Sequence, residues 1–226
     1  MKWNARKITG LAMVAAISYA VMFAGFRFMP SAPYLKYEAK DVILAIGGFI
    51  YGPVEAVMAA FVVAFMEMVT VSESGIIGLL MNFLAAASFA GVASYIYKKN
   101  RTAKGALIGL LLGSLSLTAV MLLWNYLITP VYTGMPRAAI AAMLIPVFLP
   151  FNLIKAGLNS AIILFIYKPL TTALRKARLL PAAVEAPRAG EDTPAQHNKV
   201  NIGLLVCAAL LLLACAAALF FILRKV

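Results

Sequence analysis

Pro150-Phe151-Asn152-Leu153-Ile154-Lys155-Ala156-Gly157-Leu158-Asn159 opens a long apolar run that ends at Tyr167, yet it carries amides and an ammonium. On a helix Asn152 and Lys155 lie three apart on one face, and Asn159 continues that face one turn on. Pro150 suits a first helical turn, where its missing N–H is no loss. A lysine within a membrane span is costly unless it meets a partner, a cavity or the interface. Snorkelling to the nearer surface would satisfy Lys155 in the plainest way. The stronger reading is that Asn152 and Lys155 line a pocket for a polar ligand, because ionisable groups inside a membrane are functional by default.

Working outward, 64% hydrophobic residues, 12% charged residues and repeated long apolar runs mark an all-α, polytopic membrane helical bundle. A soluble globular domain is excluded. The net charge of +12 comes from basic residues in short loops. It therefore points to topology and contact with anionic membrane lipid, and no nucleic-acid partner is expected. Cys207 and Cys215 both fall in the last apolar run, with neither metal spacing nor a disulfide framework, and His197 sits alone in a polar stretch. Lys2, Arg6 and Lys7 begin like a signal peptide, but the run continues to about Met29 without a small-residue cleavage site. It reads as a retained first span.

That first span, Ile8 to Met29, repeats Ala12, Ala16 and Ala20 as a smooth ridge for close helix contact, inside the protein or against a partner. A polar connection, Ser31 to Asp41, follows, with Asp41 placed to cap the next helix. Val42 to Val71 is apolar but interrupted by Gly52-Pro53 and Glu55. Breaking there leaves a first piece only about 16 Å long, short for a membrane core of about 30 Å. Charge decides for the break. The N-terminus and the loop Lys98 to Lys104 are both basic and so both cytoplasmic, which requires an even number of crossings between them. Ile76 to Tyr97 is then the fourth segment. Gly105 to Ile128 is the fifth, with Gly105, Gly109 and Gly113 on one ridge that favours a tight intramolecular contact.

Thr129 to Leu149, with three prolines, reads as an outer connection, partly helical and partly re-entrant. The sixth span descends from Pro150 to Tyr167, and Thr171 to Leu180 reads as a basic helix on the inner surface. This gives a six-helix membrane core over 1–180, a flexible cytoplasmic linker over 181–199, and an additional C-terminal transmembrane helix over 200–226. The last helix is Leu- and Ala-rich, like an anchor or a lipid-facing addition.

The topology brings the Tyr34–Asp41 loop, Asn125 and the Asn152/Lys155 pair to the outer leaflet. A few polar groups among apolar and aromatic walls is how binding sites in bundles are built. Amides and an ammonium suit a flat heterocycle with carbonyl and imide edges, and Trp124, Tyr126, Tyr34 and Tyr37 are placed to stack on its rings. Glu67 reads equally as a partner for a basic side chain or as a ligand contact, and Glu73 as a solvated loop residue. The chain holds no GxxxxGK[ST] loop, HExxH or GxSxG motif. No catalytic residue, metal or cofactor is expected. A small bundle with an outer pocket and no engine suggests capture, with energy supplied by another subunit.

Leu35-Lys36-Tyr37-Glu38-Ala39-Lys40-Asp41, Gly47-Gly48-Phe49-Ile50-Tyr51-Gly52-Pro53, Asn125-Tyr126 and Pro150 to Lys155 together resemble the substrate-binding S component of energy-coupling factor (ECF) vitamin transporters. The resemblance covers about residues 5–178 and is greatest to the riboflavin-specific, RibU-like members. It implies six helices in a bacterial cell membrane, both ends of that core cytoplasmic, and a vitamin pocket under the loop between helices one and two. By that resemblance Asn125, Asn152 and Lys155 contact the flavin or its ribityl chain, with Leu35, Tyr37, Trp124 and Asn159 around it. Ala12, Ala16 and Ala20 become the motif that docks on a transmembrane coupling subunit (T component) carried by two ATPase subunits. The S component then topples in the membrane to release the vitamin inside. Relatives often have a more polar third helix, whereas Val63-Ala64 are apolar here, and the seventh span lies outside the six-helix pattern. The competing expectations are the same scaffold with another vitamin or a flavin nucleotide, an intramembrane enzyme, and a structural membrane partner without ligand.

Overall fold

Gly52 is a one-residue hinge. Its φ of 122° and ψ of 168° suit a residue without a Cβ, and Pro53 starts the next helix at once. The computed structural model describes residues 5–29, 32, 34–72, 74–176 and 202–224. In chain order, α1 (Ala5–Met22) is followed by α2 (Lys40–Tyr51) and α3 (Pro53–Thr70). Next come α4 (Gly75–Ala86), a π-helical turn (Ala87–Gly91), α5 (Val92–Lys99) and the long α6 (Ala103–Leu127). Two short helices, α7 (Thr129–Thr133) and α8 (Arg137–Met143), lead through a second π turn (Leu144–Phe148) into α9 (Leu149–Lys176). The last helix is α10 (Ile202–Arg224).

The protein is an all-α, multi-pass membrane bundle. Ala5–Met22, Pro53–Thr70, Gly75–Lys99, Ala103–Leu127 and Arg137–Ile166 are each long and apolar enough to cross a bilayer. The α2 helix, at 12 residues, and the apolar part of α10, Val206–Ala218, are shorter. Contacts fix which helix ends lie together. At one end the Lys7 ammonium pairs with Glu55, and Phe49 packs on Tyr97 with ring centroids 4.5 Å apart. At the other, the Tyr19 hydroxyl donates to Thr70 Oγ1 at 2.8 Å, and Lys40 and Asp41 of α2 meet Glu67 of α3 and Lys155 of α9. The second group forms what we call the site end.

Small residues let the backbones approach. A Cβ on Gly109 would stand 2.7 Å from the Ala93 carbonyl oxygen, and one on Gly113 would stand 2.7 Å from that of Phe89. The glycine ridge of α6 is thus the seam with α5 and the turn before it, as its spacing predicts. Gly48 is similarly close to Ala56 and Ser94. Phe89, Leu110, Leu117 and Ile163 fill the core, while Phe61, Phe65, Leu111 and Leu115 face outward, as lipid-facing side chains do.

Several boundaries differ from expectation. The first helix stops at Met22 rather than near Met29, and Phe26 turns back to pair with Tyr37 as an antiparallel bridge. Asp41 lies in the first turn of α2, where it complements the helix dipole, and Ala39 occupies the cap position. The sixth span does not begin at Pro150. A continuous helical path runs from Arg137, and the π turn accommodates Pro146. At its far end α9 carries on through Pro169 to Lys176, so 171–176 continues that helix instead of forming a separate surface one. Glu73, residues 177–180 and the expected linker 181–199 lie outside the described residues.

Candidate functional site

The site is assembled from four parts of the chain: the connection from Phe23 to Ala39, the start of α2, the end of α6 and the start of α9. Phe28, Met29, Ala32 and Tyr37 fold down as an apolar cap on Val147, Phe151 and Ile154. Phe28 stacks on Phe151 with centroids 5.2 Å apart and planes 22° apart. Beneath the cap, the Tyr37 hydroxyl donates to Asn159 Oδ1 at 3.0 Å. Burial first, then the Asp41 carboxylate and Cys215, push the Tyr37 phenol up to about 12, which keeps it a neutral donor.

Lys155 does not snorkel. Its side chain is 10% exposed, and its Nζ lies 3.3 Å from Oδ2 of Asp41, whose side chain is 1% exposed. Among the described residues neither Asp41 oxygen accepts a hydrogen bond, so the contact is ionic only. At this end the same holds for Asn159 Nδ2 and Trp124 Nε1, enclosed without an acceptor, and elsewhere for Ser18 Oγ, Ser94 Oγ and Arg101 Nε. Buried polar atoms in this state are rare and need an explanation such as a ligand.

Beside this pair runs a chain of charges that the sequence pattern does not reveal. Lys40, 2% exposed, binds Glu38 Oε2 at 2.7 Å and Glu67 Oε1 at 2.5 Å. Glu67 Oε2 accepts from Asn82 Nδ2 at 2.7 Å, and Lys36 closes on Glu38 at 3.2 Å. Burial pushes the Glu38 carboxyl up, but Lys40, then Lys155 and Lys36, outweigh it and hold it below the ordinary glutamate range. Glu67 is thus a partner to a basic side chain. The only sequence hint at this network is four charges within six residues, Lys36, Glu38, Lys40 and Asp41, feeding an apolar helix.

The structure brings together Tyr37, Asn159, Lys155 and Asp41. Leu35 packs, half-buried, on the same apolar cap. Asn125 and Asn152 are buried at the same end but bond along their own helices. Asn125 Nδ2 donates to the Met121 carbonyl at 2.7 Å and its Oδ1 accepts from Thr129 at 2.9 Å. Asn152 Nδ2 donates to the Phe148 carbonyl at 2.8 Å, at the last residue of the π turn. Tyr34 and Tyr126 are exposed rather than stacked inside. Far from the site, Ala12, Ala16 and Ala20 all face outward beside the exposed Met13 and Ile17.

Comparison with known proteins identifies the family. A family model described as "ECF transporter, substrate-specific component" matches residues 6–167. The riboflavin transporter RibU of Staphylococcus aureus is 30% identical over 182 residues, covering 78% of this chain and 95% of that protein. RibU of Streptococcus thermophilus is 29% identical, covering 76% of this chain and 86% of its own length. The riboflavin transporter FmnP of Bacillus subtilis is 28% identical, with 76% and 96% covered. A solved structure described as "Structure and mechanism of the S component of a bacterial ECF transporter" superposes with a TM-score of 0.64 at 29% identity, covering 75% of this chain and 97% of that one. The chain belongs to the substrate-specific (S) components of ECF transporters, a family of membrane transporters.

Proposed function

We propose that this chain is the capture subunit for riboflavin in an ECF-type importer, binding it beneath the cap at the site end. The observation that carries the reading is the convergence of Tyr37, Asp41, Lys155 and Asn159, with the Asn159 amide and both Asp41 oxygens short of hydrogen-bond partners. Asn125, Asn152, Trp124 and Leu35 would complete the lining of the pocket. A flat heterocycle with carbonyl and N–H edges and a hydroxylated tail offers what these groups lack. Its apolar ring face suits the Phe28–Phe151 stack and the indole of Trp124.

Charge favours the neutral vitamin over a flavin nucleotide. Lys36, Lys40 and Lys155 are matched by Glu38, Asp41 and Glu67, so this cluster has no cation to spare for a phosphate. Residues 1–180 then act as the capture core, 181–199 as a cytoplasmic linker and 200–226 as an added helix. The N-terminus is cytoplasmic and the site end external in a bacterial cell membrane. The exposed Ala12/Ala16/Ala20 ridge docks on the coupling subunit, which works with two ATPases.

The test is titration of detergent-purified protein with riboflavin, followed by tryptophan fluorescence and by equilibrium dialysis, with flavin mononucleotide in parallel. Quenching that saturates, with tighter retention of riboflavin than of its phosphate, is expected. Unchanged emission together with no retention in dialysis overturns the assignment.

A further inference from the structure

We infer that α10 is a strap that holds the cap closed over the site and sets how fast ligand enters and leaves; this rests on the reading of that site as a ligand pocket. The matched family model ends at residue 167, so α10 lies beyond it. Even so, one face of α10 packs on the core while Val206, Leu210 and Leu213 stay exposed. Ala208 is fully buried in the main core, and Cys215 is 7% exposed within the same apolar cluster as Phe28, Met29, Ala32 and Tyr37. Ala218 packs on that cluster one turn further along. Against α9 the fit is close: the Cys215 thiol reaches the Ile154 carbonyl at 3.9 Å, and a Cβ on Gly157 would stand 2.8 Å from Cys215 Sγ. The missing side chain at Gly157 is what leaves room for the Cys215 thiol against α9.

The mechanical consequence follows from what the cap touches. A molecule bound beside Tyr37 and Asn159 leaves toward the site end only if the cap lifts. Lifting takes Phe28, Met29 and Tyr37 out of the apolar cluster they share with Val147 of the π turn, Phe151 and Ile154 of α9, and Cys215 and Ala218 of α10. Contacts with α10 therefore belong to the closed state and are lost in the open one. Since entry and release both require the cap to lift, the strap raises the two barriers together. Its signature is a change in both rates with little change in affinity.

The experiment uses the full chain carrying Cys207→Ser and Gly157→Cys, so that residue 157 can form a disulfide with Cys215 on adding a mild oxidant. The geometry permits it, with the new Cβ already within bridging distance of the thiol. We expect the bridge to form in folded protein. The oxidised form should release riboflavin about tenfold more slowly than the same protein reduced, equivalent to about 1.4 kcal/mol in the barrier. Association should slow alongside it, affinity should hold within about twofold, and reductant should restore both rates. Failure of the bridge to form in protein that still binds riboflavin, or equal rates in the two redox forms, overturns the strap. Should the double variant lose binding even when reduced, Cys215→Trp in the native chain gives the converse test. Levering α10 away from α9 should speed both rates, and unchanged rates overturn the inference. Absence of riboflavin binding by the native chain indicts the ligand assignment, which the disulfide yield does not depend on.

Discussion

Replacing Lys155 by Met tests how the site is held together as well as what it binds. Lys155 and Asp41 stand 3.3 Å apart with side chains 10% and 1% exposed. At an effective dielectric of about 20, unit charges at that separation attract by about 5 kcal/mol. Desolvation of both groups offsets much of this, so the pair adds little net stability while it is intact. Removing one partner is different, because the other charge stays buried and uncompensated, typically at about 3–5 kcal/mol. Lys40, whose charge also acts on Asp41, softens the loss and places Lys155→Met near about 3 kcal/mol. In the double variant Asp41→Asn/Lys155→Met no orphan charge remains, and most of the loss should return. The assay is denaturant titration of ligand-free protein for the wild type, both single variants and the double, with riboflavin titration of each. We expect strong coupling in stability and no recovery of binding in the double variant. Stability losses that simply add would refute the buried-pair argument, and native affinity in Lys155→Met would refute the ligand role.

Other outcomes follow from single contacts. Tyr37→Phe strips Asn159 of its donor and leaves a fully buried amide unpartnered, which should cost about 1–3 kcal/mol in the same denaturant titration. Gly109→Ile drives a Cβ to 2.7 Å from the Ala93 carbonyl and should destabilise by about 1–3 kcal/mol as α5 and α6 separate, seen as an earlier thermal transition. Ala16→Trp lies on the outward ridge, so folding should change by less than about 0.5 kcal/mol and riboflavin binding should persist, while cellular uptake falls. Glu38, lowered below 4.5 in the folded protein, contributes stability that is fully present above that value and lost as pH falls through the lowered one. Stopped-flow release of riboflavin should therefore be constant from neutral pH to about 5 and accelerate at more acid pH as the cap loses its ionic anchor.

Local chemistry made much of this legible in advance. Gly52-Pro53 breaks the helix where the dipeptide predicts, and the basic stretches on both sides favour an even count of crossings between them. The Gly105/Gly109/Gly113 spacing can hardly serve anything but close backbone contact. The shared end of Tyr37, Asn125, Asn152 and Lys155 followed from those crossings. What stayed hidden was pairing. Asp41 with Lys155, and Lys40 with Glu67, join residues 114 and 27 positions apart, and nothing local says which carboxylate takes which lysine. The end of α1 was obscured because Phe23 to Met29 continues the apolar run, although Phe28 and Met29 pack in the cap. Pro150 sits in the first turn of its helix as its chemistry predicts, but Pro146, read as part of an irregular connection, is absorbed by a π turn. For the ridge on α1 the pattern left two choices, and only packing shows that Ala12, Ala16 and Ala20 face outward.

The six interlocked charges of the site end, three lysines against three carboxylates, sum to zero. A unit charge carried across a membrane at 100 mV exchanges about 2.3 kcal/mol with the field. A neutral set exchanges none. In a cycle that swings this end of the subunit from one face of the bilayer to the other, the cluster would travel without drawing on, or being held back by, the voltage of a living cell.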